Sequence, residues 1–126
     1  LVGSVVVYGE GWAVPGESHP RYVLGVNGYT GDLIWTGEVG RVPFQPELTP
    51  PAPLAAGQVA YAPTLGLNLT ASGAVTLQES PTSRWGVTVT YDLVPGESDV
   101  ELAVHRITLP PAPAAWVVQT VLRFYL

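Results

Sequence analysis

The stretch RWGVTVTYDLVPGESDVELAVHRITL, Arg84 to Leu109, decides how the rest of the chain is read. Trp85, Val87, Val89, Tyr91 and Leu93 fall on one side of an extended chain, and Gly86, Thr88, Thr90 and Asp92 on the other. Side chains of a strand alternate between its faces, so this period predicts an antiparallel strand covered on one face and wet on the other. The second half of the stretch repeats the pattern, with Val100, Leu102 and Val104 opposing Asp99, Glu101, Ala103 and His105. Past His105 the sense reverses, because Arg106 and Thr108 fall on the apolar side; a bulge or a change of sheet is the expected cause. Between the two runs, Val94-Pro95-Gly96-Glu97 predicts a type II turn. Proline presets φ at the second position and glycine supplies the positive φ required at the third.

The string VPGES recurs at Val14 to Ser18, 80 residues before its second copy, whereas the two copies of PPAP, at Pro50 and Pro110, lie 60 residues apart. A duplicated module has one offset, so these repeats are read as turn chemistry used twice rather than as a repeated unit.

Short runs rich in Val, Thr, Tyr and Trp continue in both directions. They cover Val2 to Gly9, Arg21 to Gly28, Gly31 to Val39, Thr64 to Ala71, Gly73 to Glu79 and Ala114 to Leu126. Ser72 is read as the tip of a hairpin between the fourth and fifth of these runs. Residues 43–57 hold five prolines and read as a long crossover with polyproline character, not as a strand. In the last run Trp116, Val118, Thr120, Leu122, Phe124 and Leu126 share a face, while Val117, Val121 and Tyr125 make the other face largely apolar too. A strand apolar on both sides expects cover on both. Fourteen glycines and thirteen prolines leave no room for long helices. The expected fold is all-β: a single domain over residues 1–126, built as a two-sheet antiparallel sandwich of about eight strands, jelly-roll or Greek-key like. A closed barrel is the second expectation, and Trp85 and Trp116 are expected in the core.

Composition narrows the function classes. The chain has no cysteine and no methionine, its five basic residues are all arginine, and its net charge is −5. Thiol catalysis, zinc–thiolate sites and lysine Schiff bases are therefore excluded. With no basic run, nucleic acid is not an expected partner. No apolar run reaches the ~20 residues of a membrane helix, so the chain is expected to be soluble, with no membrane insertion. Charged residues make up 12%, about half the ~25% of an ordinary domain. That charge-poor surface suits either a subunit packed by neighbours or a thermophile's composition. A start at Leu1 with no initiator methionine leads us to expect export and removal of a signal peptide.

No catalytic, metal or cofactor site is expected, and the protein is read as not being an enzyme. Asp99, Glu101 and His105 share a strand face, but alternate residues stand ~6.6 Å apart, too far for one ion to gather all three. Ser18 beside His19 lacks a nucleophile elbow and is read, with Glu17, as part of a turn. Asn68-Leu69-Thr70 fits the N-glycosylation pattern but falls in a strand.

The expected function is that of a secreted or cell-surface structural subunit that polymerises with copies of itself into a pilus, filament or lattice. The assembly interface is assigned to the terminal strands, through Leu1, Val2, Val5, Val6, Val7, Tyr8, Trp12, Trp116, Val118, Leu122 and Phe124. A virion decoration or tail protein is the first alternative. A carbohydrate-binding module using Trp12 or Trp35 is the second, which makes glycan a weaker partner expectation.

Overall fold

The computed structural model describes residues 3–43 and 50–126. Eight strands follow one another without a helix between them: β1 (Ser4–Trp12), β2 (Arg21–Thr30), β3 (Leu33–Pro43), β4 (Pro51–Thr64), β5 (Leu67–Thr76), β6 (Ser83–Val94), β7 (Ser98–Thr108) and β8 (Ala115–Phe124). All seven neighbouring pairs are antiparallel and lie in chain order in one sheet. The all-β antiparallel expectation therefore holds, with its count of eight. The sheet is single and open, with β1 and β8 as its edges.

Three strand assignments change. The crossover expected over residues 43–57 is in part a strand, because β4 starts at Pro51 and pairs with β3 from Pro43↔Pro51 to Leu33↔Tyr61. Proline is tolerated there for a geometric reason. The Pro53 carbonyl accepts from the Leu77 N–H at 2.8 Å, so the missing N–H of Pro53 points the same way, towards the β5 side. Pairing with β5 begins at Leu54↔Thr76, so the β3–β4 ladder loses nothing at Pro51 or Pro53. Residues 44–49 of the expected crossover lie outside the described residues. Second, Ser72 is not a hairpin tip: β5 runs unbroken from Leu67 to Thr76, and the reversal comes earlier, at Leu65-Gly66, where Gly66 has φ +83°. Third, β7 pairs through Arg106 on both sides without a register shift, so neither a bulge nor a change of sheet explains the reversed alternation there.

The turns follow the sequence. Glu17 N–H donates to the Val14 carbonyl at 3.1 Å and Glu97 N–H to the Val94 carbonyl at 2.9 Å, with Gly16 and Gly96 at φ +88° and +77°. These are type II turns in both VPGES copies.

Paired residues share a face, so the registers define two faces across the whole sheet. One transverse row runs Val5, Gly28, Trp35, Val59, Ala71, Val87, Val104, Val118 and contains no polar side chain. A row on the opposite face runs Val6, Asn27, Thr36, Gln58, Ser72, Gly86, His105, Val117. Among the described residues nothing covers the apolar face. The only buried hydrophobic residue among them is Ala103, at 3% exposure, and it sits on the polar face. The core expected at Trp85 and Trp116 is absent: they are 46% and 60% exposed. A single sheet has nothing to pack against its apolar side.

Because Gly96 needs a positive φ, Gly96→Ala is expected to lower stability by about 1–2 kcal/mol. Gly57→Ala, where a methyl group meets its nearest neighbour at an ordinary 3.5 Å, is expected to change it by under ~0.5 kcal/mol. Urea unfolding midpoints of the two variants check this contrast.

Candidate functional site

The two faces are the candidate functional surfaces, and the chemistry divides between them. Among the Asp, Glu and Arg residues of the strands, Glu10, Arg21, Glu38, Arg84, Asp92, Asp99, Glu101 and Arg123 project from the polar face. The apolar face carries only Arg41 and Arg106. Six of the eight buried residues (Gly25, Gly40, Thr76, Gly86, Asp99 and Ala103) are on the polar face, so the sheet is more crowded on its polar side than on its apolar side.

Polar-face groups are tied across strands. Tyr8 lies over Gly25, where a Cβ would collide with the phenol ring, and reaches past it to donate its hydroxyl proton to Glu38. β1, β2 and β3 are thus joined in one row, Tyr8↔Gly25↔Glu38, by an aromatic ring covering a glycine. Arg123 on β8 donates to Asp99 at 3.0 Å and to Glu101 at 2.7 Å on β7, and the Tyr125 hydroxyl donates to Asp99 at 2.5 Å. The carboxylates that sequence spacing placed near His105 are therefore held by an arginine. His105 instead lies against Gly86, and its Nδ1 is buried without a hydrogen-bond partner. No group of three metal-binding side chains converges among the described residues.

The apolar face is ordered along the strands. Its aromatics, Tyr22, Trp35, Tyr61, Trp85, Tyr91, Trp116 and Phe124, all lie within four residues of a strand end. Between them the face is Val, Leu, Ala and Gly, apart from Thr120. Trp85 and Trp116 meet edge to face, ring centroids 5.3 Å apart, on either side of Arg106 in the row Trp85↔Arg106↔Trp116.

The two ends of the sheet also differ. Residues 31–32, 65–66 and 95–97 make short turns at one end, while, among the described residues, 13–20, 77–82 and 109–114 make longer connections at the other. Arg21, Arg41, Arg84 and Arg106 stand at the long-loop end, and Asp32, Asp92, Glu97 and Asp99 stand at the short-turn end beside Arg123. In the first long connection Arg21 grips Glu17 through Nη2 at 2.6 Å and Nε at 3.1 Å, while Arg41 donates to the His19 carbonyl at 3.1 Å. Ser18 and His19 hydrogen-bond at 2.9 Å on the exposed part of that loop, as turn residues.

The residues assigned to assembly occupy the two edges. Val5, Val6, Val7, Tyr8 and Trp12 lie in β1, and Trp116, Val118, Leu122 and Phe124 in β8, at opposite sides of the sheet; Leu1 and Val2 lie outside the described residues. Trp12 projects from the polar face, 39% exposed. Trp35 leans over Gly28 on the apolar face, and Asn68 sits in β5 on the polar face, level with Thr90. What sequence reading missed is the continuity of the apolar face, which emerges only once eight registers are known. Comparison with protein-family models, curated proteins and solved structures finds no match for the chain.

The hydrogen bonds from Arg21 hold the Glu17 carboxyl below its usual pKa, against the opposing effect of desolvation. A depressed folded value means the clasp contributes stability above the ordinary glutamate range and loses it as pH falls through the lowered value. Residues 13–20 are expected to become more protease-sensitive on acidification below pH ~4, and Glu17→Gln should show that sensitivity already at neutral pH. Equal cleavage of wild type at pH 7 and pH 3, with a pH-matched protease, would count against the clasp.

Proposed function

We propose that this chain is a non-enzymatic wall segment of a membrane-spanning β-barrel, with its apolar face turned to lipid and its polar face to the lumen. The observation that carries the reading is the unbroken apolar face across all eight strands, opposite a face that holds eight of the ten Asp, Glu and Arg residues of the strands. A water-soluble sheet buries its apolar side, whereas a barrel in lipid turns that side outward and keeps polar groups within.

Three further features support it. Every strand has at least nine residues, and a tilted strand crosses the hydrocarbon layer with about 9–11. Aromatic side chains near both strand ends, with Val, Leu, Ala and Gly between, match the two girdles and central band of such walls. Turns that are short at one end and longer at the other fit the usual asymmetry of outer-membrane barrels. The expectation against membrane insertion rested on helix length, which does not apply to strands, and no helix here is long and apolar enough to cross a membrane.

The terminal-strand interface keeps its place in this reading. β1 carries Val5, Val6 and Val7 and β8 carries Val117, Val118 and Val121, so both edges are apolar on both faces, as suits strands inside a closed wall. With eight strands alternating in direction, β8 and β1 are antiparallel. They complete a barrel by pairing with each other or with the same edges of a second copy. The other reading is a sandwich made between copies: two sheets pack apolar face to apolar face in a secreted, capsid or surface assembly. The exposed apolar face supports that reading as well, but the aromatic girdles and loop asymmetry favour lipid.

Full-length protein diluted from urea into phospholipid vesicles is expected to gain a β-sheet circular dichroism spectrum. It should float with the lipid through a density gradient after alkaline washing. Protein that stays in the aqueous fraction and forms filaments or soluble oligomers whether or not lipid is present would contradict the barrel and favour the sandwich.

A further inference from the structure

Building on the barrel reading, the geometry points to an anionic-headgroup site on the lipid-facing surface, formed by Arg106 between Trp85 and Trp116. Arg106 is exposed at the long-loop end of β7 and is one of only two charges on the apolar face. The other, Arg41, is engaged: it donates to the His19 carbonyl at 3.1 Å and lies 3.9 Å from Glu17. Arg106 has no ion-pair partner and donates no side-chain hydrogen bond among the described residues. The two indoles, in edge-to-face contact at 5.3 Å, lie on either side of it.

A cation on a lipid-facing surface is costly in hydrocarbon and favourable at the headgroup level, where tryptophan also partitions. The row Trp85, Arg106, Trp116 lies where that boundary falls, within three residues of the strand ends. Guanidinium binds phosphate through paired N–H donors, and the flanking rings shield that contact from water and salt. A ligand complementary to this arrangement has a phosphate at the polar–apolar boundary and an acyl chain to run down Val104, Leu102 and Val100 of β7. An anionic phospholipid and a phosphorylated glycolipid both present that chemistry. Neighbouring Arg84, on the other face at the same end, adds to the positive field.

The test uses full-length protein carrying Trp12→Phe and Trp35→Phe, so that emission comes from Trp85 and Trp116, in vesicles of phosphatidylcholine doped with a brominated lipid. Brominated phosphatidylglycerol is expected to associate with the tryptophans about five-fold more strongly than brominated phosphatidylcholine, the ~1 kcal/mol that a basic residue gains near an anionic surface. Arg106→Gln should bring the ratio close to one, and Arg106→Lys, which keeps the charge and guards against misfolding of the first variant, should retain most of it. Arg41→Gln should leave it unchanged. A phosphorylated glycolipid competing away the quenching by phosphatidylglycerol would assign the site to the shared phosphate chemistry. Equal quenching by both brominated lipids in the unmodified Arg106 protein would overturn the headgroup site and leave the barrel standing. Quenching by neither would overturn the barrel and the site together.

Discussion

The constraint on which the rest of this structure depends is that eight hydrogen-bonded strands in one layer leave an apolar face that none of the described residues covers. The backbone is satisfied internally by seven antiparallel ladders, so the polymer needs no second layer for its N–H and C=O groups. The side chains do need one. Val7 at 78% exposure, Val118 at 67% and Phe124 at 67% are positions that a globular domain buries. In the proposed barrel, lipid would supply that cover at every position of the face at once, without demanding a complementary surface, and the polar row through Asn27, Thr36, Gln58, Ser72 and His105 would line water.

The polar-face contacts acquire a consistent role in that setting. Tyr8 reaching Glu38 over Gly25, and Arg123 bridging Asp99 and Glu101, tie strands together from the lumen side. Charges are costly beside lipid and inexpensive in a wet lumen, where they are paired or solvated. Arg106 breaks that division from the strand end, in the row it shares with two tryptophans, and in the proposed barrel that row falls at headgroup level.

Local chemistry was legible in the sequence. Alternation located β6 and β7, and Val-Pro-Gly located two turns whose glycines have the positive φ that the type II geometry requires. The proline count hid β4, because a count cannot say that the nitrogens of Pro51 and Pro53 both point away from β3. The gap between two strand-like runs was read as a hairpin at Ser72, where small residues resemble a turn but the strand continues, and the real reversal at Gly66 was left unread. The reversed alternation at Arg106 and Thr108 was seen but assigned to a bulge. The registers put it at the polar end of an otherwise apolar face. Which faces join across the sheet depends on seven registers, and a one-residue slip in any of them inverts every strand beyond it. The candidate surfaces were therefore only partly readable: the edge strands were named from their apolar runs, but the continuous face was not.

The most direct measurement is a nitroxide scan along β8, with single cysteines placed from Val117 to Leu122 in a chain that has none of its own. Labels at Val118, Thr120 and Leu122 should be accessible to oxygen dissolved in the bilayer, and those at Val117, Gln119 and Val121 to a water-soluble nickel reagent, alternating residue by residue. Uniform accessibility to the aqueous reagent at all six positions would contradict a lipid-facing sheet.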